Sequence, residues 1–235
     1  EIRTRVISYR GIPTRVSALV DLRERKKAEA QILHLAQHDP LTDLPNRAVF
    51  NAELKQTIGK CKQHGMSAAL LIIDLDRFKD INDLHGHPVG DIVIRVTAER
   101  LRHSCRHGDT VSRLGGDEFA IITEKIDQTD EARNERLERL RQIIFRPIFA
   151  GDRELQISGS AGVCIYPADA STGSELLSRA DMALFSAKRS DQFSAKIFDS
   201  ATLVAYQRRI QIEEKLPEAI RNGDIVPVYQ PIVSS

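Results

Sequence analysis

Arg113-Leu114-Gly115-Gly116-Asp117-Glu118-Phe119 is the stretch whose reading decides the fold. The β-prone runs Thr110–Arg113 and Phe119–Thr123 flank a Gly-Gly pair, and two carboxylates follow at once. Gly-Gly between extended runs predicts a hairpin, because both residues can take positive φ. Asp117 and Glu118 then stand directly after a turn whose backbone is bare. That suits a cation and a phosphorylated ligand held close to the main chain. Taken alone, the stretch reads first as a solvated acidic hairpin, so its meaning depends on its surroundings.

Upstream, Ala68–Ile73 is an unbroken apolar run of the kind found in a strand buried on both faces, and it ends on Asp74. Ligands of open α/β sheets gather outside one end of the strands, which makes Asp74 a candidate site residue. Asp76 lies two residues on. The short polar segment Arg77–Asp83 follows, then a loop with Gly86, Pro88 and Gly90. Asp91 is expected to open a helix whose apolar positions include Ile92, Val93, Val96 and Leu101. Before the apolar run, the Pro-, Asp- and Asn-rich segment His38–Arg47 reads as a loop ending in a helix cap. Phe50, Leu54, Ile58 and Cys61 then recur at helical spacing as far as Gly65.

Beyond the hairpin, the periodicity predicts a charged helix over Thr129–Ile144 and a strand thinned by small residues over Leu155–Ile165. A helix over Glu175–Arg189 and a closing strand at Lys196–Phe198 come next. This order implies an α+β domain with a mixed or antiparallel central sheet flanked by helices.

The flanks read differently. Arg5–Tyr9 and Arg15–Val20 form two hairpin strands around a Gly11-Ile12-Pro13 break, too small to stand alone. Asp21 is a plausible cap for a charged linker helix Leu22–His38, on which Ala28, Ile32 and Leu35 make a short coiled-coil-like seam. After Asp199 the pattern resets. Leu203–Leu216 is helical, Pro217 should break it, and Ile225–Val233 begins a strand. The expected organisation is therefore the end of a preceding domain over residues 1–20, a helical linker over 21–38, the main domain over 39–199, and a linker helix with the first strand of another domain over 200–235.

Composition limits the possibilities. Lys plus Arg (34) nearly balances Asp plus Glu (33), so the formal charge of +1 gives no reason to expect nucleic acid or an anionic membrane as partner. Cys61, Cys105 and Cys164 are widely spaced and form no CxxC pair, which fits reduced thiols in a cytoplasmic protein. The longest apolar run is far too short to span a bilayer.

If the strand ending at Asp74 pairs with the hairpin, Asp74, Asp117 and Glu118 converge. Oxygen ligands clustered without His or Cys suit Mg²⁺, which takes one or two carboxylates and completes its shell with phosphate oxygens and water. Two such ions can stabilise the attacking and leaving oxygens of phosphoryl or nucleotidyl transfer. Three blocks now stand at compatible spacing: Asp74-Leu75-Asp76-Arg77-Phe78-Lys79-Asp80-Ile81-Asn82-Asp83, Gly86-His87-Pro88-Val89-Gly90-Asp91 and Gly115-Gly116-Asp117-Glu118-Phe119. From His38 to Asp199 the chain resembles the GGDEF family of diguanylate cyclases, which condense two GTP into cyclic di-GMP.

The resemblance implies a palm-like nucleotidyl-cyclase fold and two Mg²⁺ per active site, with Mn²⁺ as a possible substitute. Asp74, Asp117 and the Leu75 carbonyl resemble the family's metal ligands, and Glu118 would support the metal or assist deprotonation of the ribose 3′-hydroxyl. Asn82 and Asp91 resemble the guanine readers, and His87 sits where the family contacts the nucleotide. Phe78 and Lys79 would present backbone N–H groups to the terminal phosphates, Gly115 and Gly116 would admit the α-phosphate, and Lys188 would bind phosphate. Alone, His87 is a loop histidine and Asn82 and Asp91 are helix caps; only the joint spacing says otherwise.

The family's Gly-Arg-Asn turn is replaced by Asp191-Gln192-Phe193, so an expected phosphate-binding arginine is missing. Arg106 and Asp109 match the family's inhibitory RxxD site for cyclic di-GMP. A homodimer is implied, since each protomer would hold one GTP. The flanks resemble the end of a PAS sensor and the start of an EAL phosphodiesterase domain of a bacterial signalling protein, which could be tethered to a membrane outside this segment.

Overall fold

The computed structural model describes residues 2–19, 23–124, 126, 129–188 and 194–224. A two-stranded antiparallel hairpin, β1 (Ile2–Tyr9) and β2 (Ile12–Leu19), leads the chain. Its turn is Arg10-Gly11, both at positive φ, which is the backbone that matches strand twist. The turn thus begins one residue before the expected Gly11-Ile12-Pro13 break, and Pro13 lies within β2 opposite Ser8. An edge position tolerates its missing N–H. Helix α1 (Arg23–Gln37) follows.

The main domain is built on a five-stranded sheet. Its elements in order are α2 (Arg47–His64), β3 (Ala68–Leu75), α3 (Phe78–His85), α4 (His87–Ser104), β4 (Thr110–Gly115), β5 (Glu118–Thr123), α5 (Asp130–Ile144), β6 (Ile148–Ala150), β7 (Arg153–Leu155), β8 (Gly159–Tyr166), α6 (Gly173–Ala187), β9 (Ser194–Ile197) and α7 (Ser200–Asn222). The strand order is β4-β5-β3-β8-β9, with β8 and β9 parallel and every other pair antiparallel. The expected α+β architecture with a mixed central sheet is the one found.

Strand β3 is buried along its whole length, as its apolar run predicts. Side-chain alternation sends Ala69, Leu71, Ile73 and Leu75 to a core under α4 and α5, and Ala68, Leu70 and Ile72 to a second core under α2 and α6. By the same parity Phe119 and Ile121 of β5 join the first core, and Ala120 and Ile122 the second. Asp74 and Glu118, both even-numbered, therefore continue the rows that face α2 and α6.

Several boundaries differ from the sequence reading. The polar segment after Asp76 is helix α3, because Phe78 and Ile81 pack on the first core. The supposed loop from Gly86 to Gly90 is mostly the start of α4, so Asp91 lies in that helix and does not open it. Pro88 sits in its first turn, where a missing N–H costs nothing. The long strand expected over Leu155–Ile165 is two strands, with Arg153–Leu155 turned back on Ile148–Ala150 as a small separate hairpin. Helix α7 runs through Pro217; the carbonyl of Glu213 that loses its donor is on an exposed turn, open to water. Arg189, Asp191, Gln192, Phe193 and the expected strand Ile225–Val233 lie outside the described residues, as do Asp21 and Leu22.

The small residues of β8 have a packing cause. A side chain on Gly162 would collide with the backbone of α6 at Ala180 and Leu184. Gly162→Ala should therefore destabilise the domain by about 3 kcal/mol, the upper range for overpacking a core. Urea unfolding checks this, and a midpoint equal to wild type would show that α6 can retreat.

Candidate active site

The hairpin's two-residue loop is Gly116-Asp117, since Gly115 pairs with Glu118 across it. This differs by one residue from the Gly-Gly turn expected. Gly115 (φ 141°) and Gly116 (φ 52°) both occupy left-handed backbone that other residues resist. Asp117 is thereby lifted onto the loop, while Glu118 opens β5. Asp74 stands directly opposite Glu118 in the β3–β5 register, and the Leu75 amide donates to the Asp117 carbonyl (3.3 Å). All three acids thus stand at the same end of the central strands.

Two cations answer them. The Lys188 ammonium, at the C-terminal end of α6, contacts Asp74 Oδ1 at 2.8 Å. Arg47, first residue of α2, donates from Nε to the Leu114 carbonyl (3.0 Å) and from Nη2 to Glu118 Oε2 (3.2 Å). Burial pushes the Asp74 carboxyl above its ordinary range, the Lys188 ammonium pulls it back, and Asp117 and Glu118 push it further up. Asp181 of α6 is likewise raised, first by burial and then by the charge of Glu118, against the pull of Arg47. Arg47, Glu118, Asp181 and Lys188 line a cleft of about 320 Å³ with Leu177 and Phe185. Asp76 is excluded from it, because Ser158 and Ser160 hydroxyls hold both its oxygens (3.1 and 2.9 Å).

The hairpin is also braced from upstream. Arg113 donates from Nε and Nη2 to the Gly116 carbonyl (3.1 and 2.7 Å) and from Nη1 to Asp39 Oδ1 (2.8 Å). Asp39 lies two residues after α1, so one guanidinium joins the end of that helix to the acidic turn.

On the other side of the strand end, Arg77 takes a left-handed conformation (φ 54°) and α3 starts without a side-chain cap. The N–H groups of Phe78 and Lys79 have no protein partner among the described residues. They form an uncapped helix start suited to anionic oxygens. Asn82 lies on α3, His87 and Asp91 on α4, and Asp91 reaches Arg95 only loosely (3.9 Å).

The remaining pair stands apart. Asp109 accepts from the Arg106 amide (3.0 Å) and from Arg136 Nη2 (3.0 Å), and its side chain is only 2% exposed. Asp109 is therefore ion-paired with Arg136 of α5. Arg106 is exposed, whereas Asp109 is committed inward. Burial pushes the nearby Cys105 thiol up to about 12, and Cys164 likewise, so neither is a ready nucleophile.

Residues 36–193 match the family model described as diguanylate cyclase, GGDEF domain. The chain belongs to the GGDEF family. It is 36% identical to the cyclic di-GMP phosphodiesterase NbdA of Pseudomonas aeruginosa, over 94% of this chain and 28% of that protein. It is also 36% identical to the bifunctional diguanylate cyclase/cyclic di-GMP phosphodiesterase MucR of the same organism, over 88% of this chain and 30% of that protein. The chain thus spans less than a third of the length of these relatives. Among solved structures it resembles the isolated GGDEF domain of TpbB from P. aeruginosa, with 36% identity and a TM-score of 0.68, covering 72% of this chain and 99% of that one. No helix among the described residues is long and apolar enough to cross a membrane.

The GGDEF site fits a divalent cation of a particular kind. Among the described residues no three His, Cys, Asp or Glu side chains are gathered closely enough to cage a metal. Asp74 and Asp117 supply oxygen only, and Mg²⁺ needs just one or two carboxylates when phosphate oxygens and water complete its shell. The donor set therefore suits an ion that arrives with a nucleotide. Arg47 and Asp181 escaped the sequence reading because they lie outside the signature blocks and gain meaning only through partners far along the chain, and the role of Arg113 escaped it because its bond to Asp39 spans 74 residues.

Proposed function

We propose that this GGDEF domain is a diguanylate cyclase that condenses two GTP into cyclic di-GMP as a homodimer. The placement of Asp74, Asp117 and Glu118 at one strand end, with Lys188 on Asp74 and an uncapped helix start nearby, supports this reading. Each protomer holds one GTP. The 3′-oxygen of each nucleotide attacks the partner's α-phosphorus, the bond to the pyrophosphate oxygen breaks, and the hydroxyl proton passes to a carboxylate of the site, Glu118 being a candidate, or to water. Two such displacements close the ring and release two pyrophosphates, and two-fold symmetry suits a symmetric product.

Asp74, Asp117 and the Leu75 carbonyl would hold Mg²⁺, which supplies charge stabilisation at the reacting phosphate. Lys188 and the Phe78 and Lys79 amides bind phosphate oxygens, with Gly115 and Gly116 leaving room at the turn. Asn82 and Asp91 read guanine, His87 contacts the nucleotide, and Arg47 keeps Glu118 directed at the site. Exposed Arg106 grips cyclic di-GMP in product inhibition, with Asp109 and Arg136 shaping its turn. Helix α1 sets the spacing of protomers in a cytoplasmic bacterial protein whose flanking pieces are PAS-like and EAL-like.

Incubation with GTP and Mg²⁺ or Mn²⁺, followed by mass detection of cyclic di-GMP, tests the proposal. A folded dimer that binds GTP and makes no product would overturn it. That outcome is the second reading, a GTP-binding regulator of an adjoining phosphodiesterase. The likeness to NbdA and the Gln192 substitution favour it.

A further inference from the structure

Gly90 occupies an unusual place for a glycine. It is buried in the first turns of α4, where glycine costs about 1 kcal/mol against alanine. Its φ is not left-handed, so the backbone does not require it. Space does. A Cβ at this position would overlap Oδ1 of Asn82 and stand 3.0 Å from its Cγ and 3.2 Å from Cζ of Phe78. The Asn82 amide therefore rests directly on the bare Cα of the neighbouring helix.

Among the described residues no hydrogen bond orients that amide. Asn82 makes no side-chain hydrogen bond among the described residues, although its carbonyl accepts from Gly86 (2.8 Å) and so ties α3 to α4. An amide with free donors and acceptor, seated against a helix by shape alone, has its direction set by the surface beneath it. Asp91, the other candidate base reader, is the next residue after Gly90.

We propose that Gly90 is a specificity-determining positioning residue, whose missing side chain holds the Asn82 amide in the orientation that selects guanine over adenine. This rests on Asn82 reading the base. A site built to satisfy a base's polar edge rejects the wrong base because buried groups are left unpaired. Gly90→Ala pushes the flexible amide aside while leaving the carboxylates and Lys188 in place.

The test is calorimetric titration of the α,β-methylene analogues of GTP and ATP, with Mg²⁺, into wild type, Gly90→Ala, Asn82→Ala and the double variant. Gly90→Ala should weaken the GTP analogue about tenfold, one hydrogen bond's worth, and leave the ATP analogue unchanged. The double variant should bind like Asn82→Ala alone, since Gly90 acts only through that amide. Its melting temperature should likewise return to the Asn82→Ala value, because removing the amide makes room for the methyl group. Equal binding by Gly90→Ala and wild type, equal losses for both analogues, or additive losses in the double variant would each overturn the proposal. Undiminished binding of the GTP analogue by Asn82→Ala would remove instead the base-reading role on which it rests.

Discussion

Asp74→Asn is expected to abolish cyclic di-GMP synthesis, by about 10²–10³-fold or more, and at the same time to make the ligand-free domain more stable near neutral pH. The first effect follows from removing a carboxylate where charge must be stabilised, and loss of one such preorganised group acts on that scale. The second follows from its surroundings. Asp74 is buried, stands opposite Glu118 and is raised above its ordinary pKa, chiefly by burial. A carboxyl whose pKa is higher in the folded than in the unfolded chain favours folding fully when protonated, below the unfolded value. That contribution is lost as pH rises through the folded value. At neutral pH the native Asp74 therefore carries a cost that asparagine lacks. The melting-temperature gap between variant and wild type should be positive at pH 7 and narrow as pH falls through the carboxylate range. A variant less stable than wild type at pH 7 would mean that the Lys188 ion pair outweighs the burial cost.

This opposition between stability and chemistry was partly legible in the amino-acid order. The apolar run before Asp74 specifies a strand buried on both faces, and alternation then fixes which core each residue serves. The direction of Asp74 and Glu118 toward α2 and α6 follows from that count alone. The α3–α4 pair was not legible, because Gly86, Pro88 and Gly90 all resemble loop formers. Only Gly86 behaves as one; Pro88 exploits a helix start and Gly90 provides room for a side chain eight residues earlier. Arg47 and Asp181 could not be singled out among many charged residues, since their roles arise from elements that meet only in the folded sheet. Asp109 shows the same limit, for its partner Arg136 is 27 residues away on α5. The Gln192 departure is read from sequence alone.

Lys188→Met is the counterpart at the other end of the ion pair, and its expected effects point the opposite way. Methionine keeps most of the stem's bulk and removes the charge, so the Asp74 carboxylate loses its 2.8 Å partner while its side chain stays only 10% exposed. Breaking a buried pair costs several kcal/mol, but Lys188 is 43% exposed and water can reach the vacated side, so about 2 kcal/mol is expected. Triphosphate binding should weaken by at least tenfold, since a hydrogen bond to a charged group contributes about 1.5–3 kcal/mol. Metal binding should strengthen. In the nucleotide-free domain the ammonium already neutralises Asp74 and repels a second cation; phosphate oxygens give Lys188 somewhere else to go. On the proposed function, nucleotide and metal should therefore assist each other through this one side chain, and the coupling would be reciprocal. Paramagnetic titration with Mn²⁺ in the absence of GTP should show tighter binding by Lys188→Met than by wild type, and saturating Mn²⁺ should raise the variant's melting temperature by more. If the variant binds Mn²⁺ no better than wild type, Lys188 does not compete for Asp74, and its contact there is only the resting place of a long, half-exposed side chain.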